Sequence, residues 1–147
     1  MKIQEQDIYH GAALTQIVEH ESFKALNKGS SRYGHYLVNA DCHVFVKYSR
    51  AENSPWQYTI SPEQLEPIAN VAGSTAHVYL CLVCGHQTIC LLGQEQIEEL
   101  IELGATDSQW IRVEVPQGGG CRVTSRLGRL GRVVPHNAFP SRLFEAE

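Results

Sequence analysis

A chain of 147 residues has room for one domain and for a core that removes about 70 % of its unfolded surface from water, so neither disulfides nor a structural metal is needed to hold it together. Hydrophobic residues make up 43 % of it and charged residues 19 %, which excludes an intrinsically disordered chain, and no apolar run approaches the roughly 20 residues a membrane helix needs. The net charge of −4 conceals a segregation: Met1 to Trp110 holds six Lys/Arg against thirteen Asp/Glu, whereas Ile111 to Glu147 holds six arginines and three glutamates. An acidic overall balance argues against a general nucleic-acid coat, but a local arginine patch on an acidic body suits an anion or phosphate site. The amino terminus has no apolar signal core, and the chain is expected to be cytoplasmic with no membrane partner.

Apolar residues at Ile8, Ala12, Leu14, Ile17, Val18 and Phe23 follow helical spacing and predict an amphipathic helix within Gln6 to Leu26. A turn-rich connector, Asn27 to Ser31, leads into three strands: Tyr36 to Asn39, His43 to Ser49 and Trp56 to Ile60. In the middle strand Val44, Val46 and Tyr48 fall on one face and Phe45, Lys47 and Ser49 on the other. Ser61-Pro62-Glu63-Gln64 has the residues of a helix start: serine as N-cap, proline at the first helical position and glutamine at the capping-box place. His77 to Cys84 is nearly all apolar, as a central strand covered on both faces would be. A two-residue turn at Gly85-His86 would return the chain along Gln87 to Leu92, with Cys84 facing Gln87 and Cys81 facing Cys90. Gln94 to Leu103 reads as a helix capped by Gly104, with Ile97, Leu100 and Ile101 inward. Gln109 to Val115 alternates, and Cys121 to Ser125 with Leu130 to Pro135 form a hairpin around Arg126 to Arg129. The expected fold is a single α+β domain over residues 1–147. One central mixed sheet is flanked by about three helices, and an arginine-bearing β segment, 111–147, packs on it.

Five cysteines, an odd number, suit reduced thiols used as small hydrophobes. Cys81, Cys84, His86 and Cys90 carry zinc-ligand letters, but a straight strand points Cys81 and Cys84 to opposite faces, so burial is the simpler account and no metal site is expected. Gly118 to Gly120 is not a phosphate loop, because neither a GK(S/T) triplet nor a helix start follows it.

The order of the first six elements, with Lys47 on the second strand, resembles the PD-(D/E)XK nuclease-like fold of restriction enzymes and Holliday-junction resolvases. The resemblance covers roughly residues 5–92. It implies an acidic residue near the end of one strand and (Asp/Glu)-x-Lys on the next, the carboxylates holding Mg²⁺ and the lysine orienting the attacking water. Lys47 takes the lysine place, Asp41 or Asn39 is nearest to the first acid, and Phe45 stands where the second carboxylate would be. A phenyl ring cannot ligate Mg²⁺. Glu19 or Glu52 would have to substitute if the chain were an active nuclease using Asp41, Lys47 and Glu19, with Mg²⁺ as its only cofactor. Lys47 has a plainer role open to it, as a strand lysine that reaches to water and deters edge pairing.

Arg122, Arg126, Arg129 and Arg132 lie within eleven residues around a hairpin, and a forked guanidinium suits phosphate recognition. They are read either as an anion or nucleic-acid finger or as partners of the acidic helix Gln94 to Leu103 or of a second subunit's acidic face. Trp56 and Trp110, taken as exposed, would join them in a protein interface, since Trp and Arg are enriched at such contacts. The first expectation is a non-catalytic nuclease-like domain that associates with nucleic acid or acts in regulation, without a cofactor. The alternatives are an interaction module or homodimer without nucleic-acid binding, and a Mg²⁺ nuclease with displaced carboxylates.

Overall fold

The computed structural model describes residues 1–145 and has the α+β character expected, but its strands divide between two sheets instead of one. In chain order the elements are α1 (Glu5–Val18), β1 (Leu26–Lys28), β2 (His35–Val38), β3 (Cys42–Ser49), β4 (Trp56–Ile60), α2 (Pro62–Ala72), β5 (His77–Cys84), β6 (Thr88–Gly93), α3 (Gln94–Leu100), β7 (Gln109–Glu114), β8 (Arg122–Ser125) and β9 (Gly128–Arg129). Two 3₁₀ turns, His136–Ala138 and Ser141–Phe144, follow. The first sheet has the order β1-β2-β3-β5-β6, antiparallel except for the parallel β3/β5 pair, and the second is the antiparallel β4-β7-β8-β9. No helix among the described residues is long and apolar enough to cross a membrane.

The alternation along β3 distributes the core. Val44 and Val46 join Tyr9, Ala13 and Ile17 of α1 on one face of the first sheet. Phe45, with Leu80, Leu82 and Leu92, faces the other way, toward α2, α3 and the inner face of the second sheet. β4, expected with the other strands in one sheet, lies in the second sheet against β7, Trp56 opposite Val113 and Ile60 opposite Gln109. Its three inward residues, Trp56, Tyr58 and Ile60, are buried between the sheets. Tyr58 adds a polar tie, its hydroxyl donating to the Val83 carbonyl at 3.0 Å.

Local chemistry explains where the elements stop. α1 ends at Val18, well before the residues up to Leu26 that its apolar spacing suggested, and the chain turns through His20 to reach β1. Asn39 organises that turn: at φ 56° its side-chain oxygen accepts from the amides of Lys24 at 2.8 Å and Ala25 at 3.2 Å. α2 starts as its sequence predicts, with Ser61 Oγ accepting from the Gln64 amide at 3.2 Å and Gln64 Oε1 accepting from the Ser61 amide at 3.0 Å. Ser61→Ala should therefore lower stability by about 1 kcal/mol in urea titration. α3 stops at Leu100 because the Gln109 side chain engages the backbone of Glu102 from both sides, accepting from its amide at 2.7 Å and donating to its carbonyl at 2.9 Å.

The β5/β6 hairpin departs from its expected register by one residue: Cys84 pairs with Thr88 and Leu82 with Cys90, leaving a three-residue loop. Gly85 adopts φ +53°, and a Cβ there would collide with the Ala51 carbonyl, so the loop needs glycine at this place for both conformation and space. The slip moves Cys81 opposite Leu91.

Candidate functional site

The structure separates most of the residues that the nuclease resemblance grouped together. Lys47 projects from β3 toward α2, and its Nζ donates to Gln64 Oε1 at 3.1 Å. Asp41 precedes β3 by one position, six residues from Lys47, a separation of roughly 20 Å along an extended strand. Its carboxylate lies 3.8 Å from the His77 imidazole instead. Glu19 caps the carboxyl end of α1, the helix that covers the opposite face of the first sheet from Lys47. Glu52 lies in the loop after β3, where its carbonyl accepts from the Gln87 side chain. Asn39 is occupied with the backbone bonds described above. Among the described residues, no three His, Cys, Asp or Glu side chains gather as a metal-holding cluster. Lys47 has no carboxylate within ion-pair distance among those residues, and burial lowers its amine pKa from the usual value.

The cysteines behave as buried thiols. All five are reduced and buried, Cys84, Cys90 and Cys121 on one side of the first sheet and Cys42 and Cys81 on the other. Burial pushes the Cys42 and Cys84 thiols up to about 12, so they remain protonated and weakly nucleophilic at neutral pH. His86 stands in the hairpin loop beside the Tyr9 ring, 5.6 Å away, and cannot join cysteines that point to two faces.

A histidine pair that no sequence motif marks lies near Lys47. His35 and Phe45 are directly opposed on β2 and β3, their rings stacked at 4.0 Å. His35 Nε2 meets His43 Nδ1 at 2.8 Å, and its Nδ1 meets Ser30 Oγ at 2.9 Å. One imidazole nitrogen of the close pair must donate and the other accept, which requires at least one lone pair between them and disfavours a doubly charged pair. Burial, reinforced by the neighbouring His43 charge, brings the His35 pKa down to about 4.

The arginines take two distinct roles. Arg126, at the β8/β9 turn, pairs with Glu102 at 3.3 Å, just past α3. Arg122, Arg129 and Arg132 line one surface depression of about 160 Å³, and none of the three is in an ion pair among the described residues. The second sheet's register adds a member that the tail-focused reading missed. Gln57, Arg112, Thr124 and Arg129 are successive partners in one cross-strand row, so Arg112 and Arg129 project from the same outer face. Arg122 occupies that face two residues from Thr124, with Glu114 as its opposite number. Trp110, half-buried, also alternates outward, opposite Thr59.

The two tryptophans therefore differ. Trp56 was expected at an interface, but it is fully inaccessible and its indole N–H donates to the Ala51 carbonyl at 2.8 Å. Its placement follows from β4 turning its odd-numbered neighbours outward and its even-numbered residues into the space between the sheets. Trp110 alone has surface to offer. Comparison with protein-family models, curated proteins and solved structures finds no match to this chain.

Proposed function

We propose that this chain is a nucleic-acid-associated domain without catalysis of its own, and that it holds a single strand across the outer face of the β4-β7-β8-β9 sheet. The observation that carries the reading is the convergence of Arg112, Arg122 and Arg129 on that face, with Arg132 on its flank and Trp110 in the adjoining row. Guanidinium groups outside any ion pair among the described residues supply forked donors to phosphate. An aromatic ring beside them offers a stacking platform for an unpaired base, which every base can use, so the expected binding is tolerant of sequence. The protein's net charge of −4 does not oppose this, because binding responds to the local field of the face.

Fluorescence anisotropy tests it, using a labelled single strand, a duplex and a branched DNA at about 50 and 200 mM salt, each with and without Mg²⁺. Neutralising about four phosphates predicts an affinity loss on the order of 50-fold across that salt change for the single strand. Trp110→Ala should weaken binding by about tenfold or more through lost stacking. The double change Arg122→Ala and Arg129→Ala should flatten the salt dependence by one to two phosphates' worth. Absence of binding to all three DNAs at the lower salt would sink the reading. Cleavage that appears only with Mg²⁺ would replace it with the nuclease alternative, and salt-resistant self-association would favour an interaction module.

A further inference from the structure

The cavity beside Lys47 has no part in the arginine face, and its chemistry is of another kind. Its volume is about 300 Å³, at the small end of the range for pockets that enclose small molecules. Phe45, Ile60, Ile68 and Leu80 wall it, none of them more than 7 % exposed. Two cations line the same space: half-buried Lys47 and, more exposed, Arg32. Arg32 is held loosely, 3.8 Å from an exposed Glu66. Lys47 has three N–H donors, and one reaches Gln64 Oε1 at 3.1 Å, an oxygen already accepting from the Ser61 amide. An ammonium set against hydrocarbon walls, with no counter-charge among the described residues, is unfavourable, which agrees with the direction of its pKa. The complement of this arrangement is a molecule with an anion at one end and an apolar body at the other.

We propose that the cavity binds a small monocarboxylate with an aryl or short alkyl body, its carboxylate paired with Lys47 and its body held between Phe45 and Ile68. A phosphate or a nucleic-acid backbone is the poorer match, because a doubly charged, strongly hydrated group would exchange much of its water for the apolar walls of Phe45, Ile60, Ile68 and Leu80. This assignment does not rest on the nucleic-acid reading and can fail or succeed separately from it.

The test is an amide-resolved NMR titration of the full chain with 2-naphthoate and octanoate, with neutral 2-naphthamide as the comparison. Both carboxylates should move the resonances of Phe45, Lys47 and Ile68, and 2-naphthoate should bind about tenfold or more tighter than the amide, as a charge-assisted bond requires. Lys47→Met keeps the length of the side chain and should remove that preference. Gln64→Glu retains a good capping-box residue while placing a carboxylate within the protein beside Lys47. It should leave the unfolding midpoint at or above that of the parent and weaken 2-naphthoate by about tenfold or more. Equal affinity for naphthoate and naphthamide, unchanged naphthoate affinity in both variants, or no movement of those three resonances at millimolar carboxylate would each overturn the assignment.

Discussion

Trp56→Ala is expected to lower stability by about 4 kcal/mol, the cost typical of truncating a fully buried tryptophan. Trp56 is inaccessible to solvent, packs in the cluster between the two sheets and donates its indole N–H to Ala51. Truncation removes the buried aromatic surface and, with it, the indole's bond to the Ala51 carbonyl, and both losses act in the same direction. The neighbouring hairpin sharpens the penalty, since Gly85 is positioned so that the loop backbone passes close to the indole nitrogen. In urea unfolding the midpoint should fall by about 2 M for a slope near 2 kcal/mol per molar. Trp110→Ala, on the half-exposed outer face, serves as the control and should change stability by less than about 1 kcal/mol. Equal effects at the two positions would mean that the sheets do not enclose β4.

Acidification should destabilise the protein through His35. With its pKa near 4 in the folded chain against about 6.5 when unfolded, the unfolded state binds more protons throughout that interval. Stability is therefore fully present above pH 6.5 and is lost as pH falls toward 4, at about 1.4 kcal/mol per pH unit and on the order of 3 kcal/mol in all. His10, buried against Tyr36 and Tyr33, has its pKa lowered by desolvation, with Asp7 opposing, and adds to the same slope. His43 shifts downward as well, with Asp41 pulling it back. Urea titrations at pH 7, 6, 5 and 4 on the parent and on His35→Gln measure the contribution. The variant's free energy should depend on pH much less steeply between 6.5 and 4, and parallel curves for the two proteins would remove His35 as the source.

How far the sequence was readable depended on how local the determining interactions were. The Ser61 to Gln64 start of α2 is written in four consecutive residues, and it formed as read. The two faces of β3 follow from side-chain alternation alone, and Val44, Val46, Phe45 and Lys47 lie where that alternation puts them. Alternation identifies faces but not neighbours. Nothing within Trp56 to Ile60 reveals that its partner is Gln109 to Val113, so one expected sheet became two. The three-residue hairpin loop sets Gly85 against Ala51, a residue on another segment, and that proximity has no signal in the hairpin's own sequence. β1 is three residues long with two of them exposed, and its conformation comes from pairing with β2, for which its own composition has no signal.

The candidate sites divide along the same line. Arg122, Arg129 and Arg132 could be grouped from proximity in the chain, whereas Arg112 joins them only through cross-strand pairing. Arg126 followed the alternative reading and met an acidic residue just past α3. The His35/His43 contact arises from two strands that turn back on each other, and the apolar walls of the Lys47 cavity come from β3, β4, α2 and β5, which no spacing rule relates.

The partner choice of β4 also sets the order in which the molecule can be completed during synthesis. β1, β2 and β3 pair with near neighbours and can assemble as soon as they emerge. β4 follows with its hydrogen-bonding edge open, and the strand that pairs with it begins only at Gln109. At ribosomal rates, that interval of about fifty residues lasts roughly 3 to 10 s. For those seconds the nascent chain presents an unpaired strand edge that a chaperone or another nascent chain can occupy, and the slow, non-local closure is the pairing that completes the second sheet.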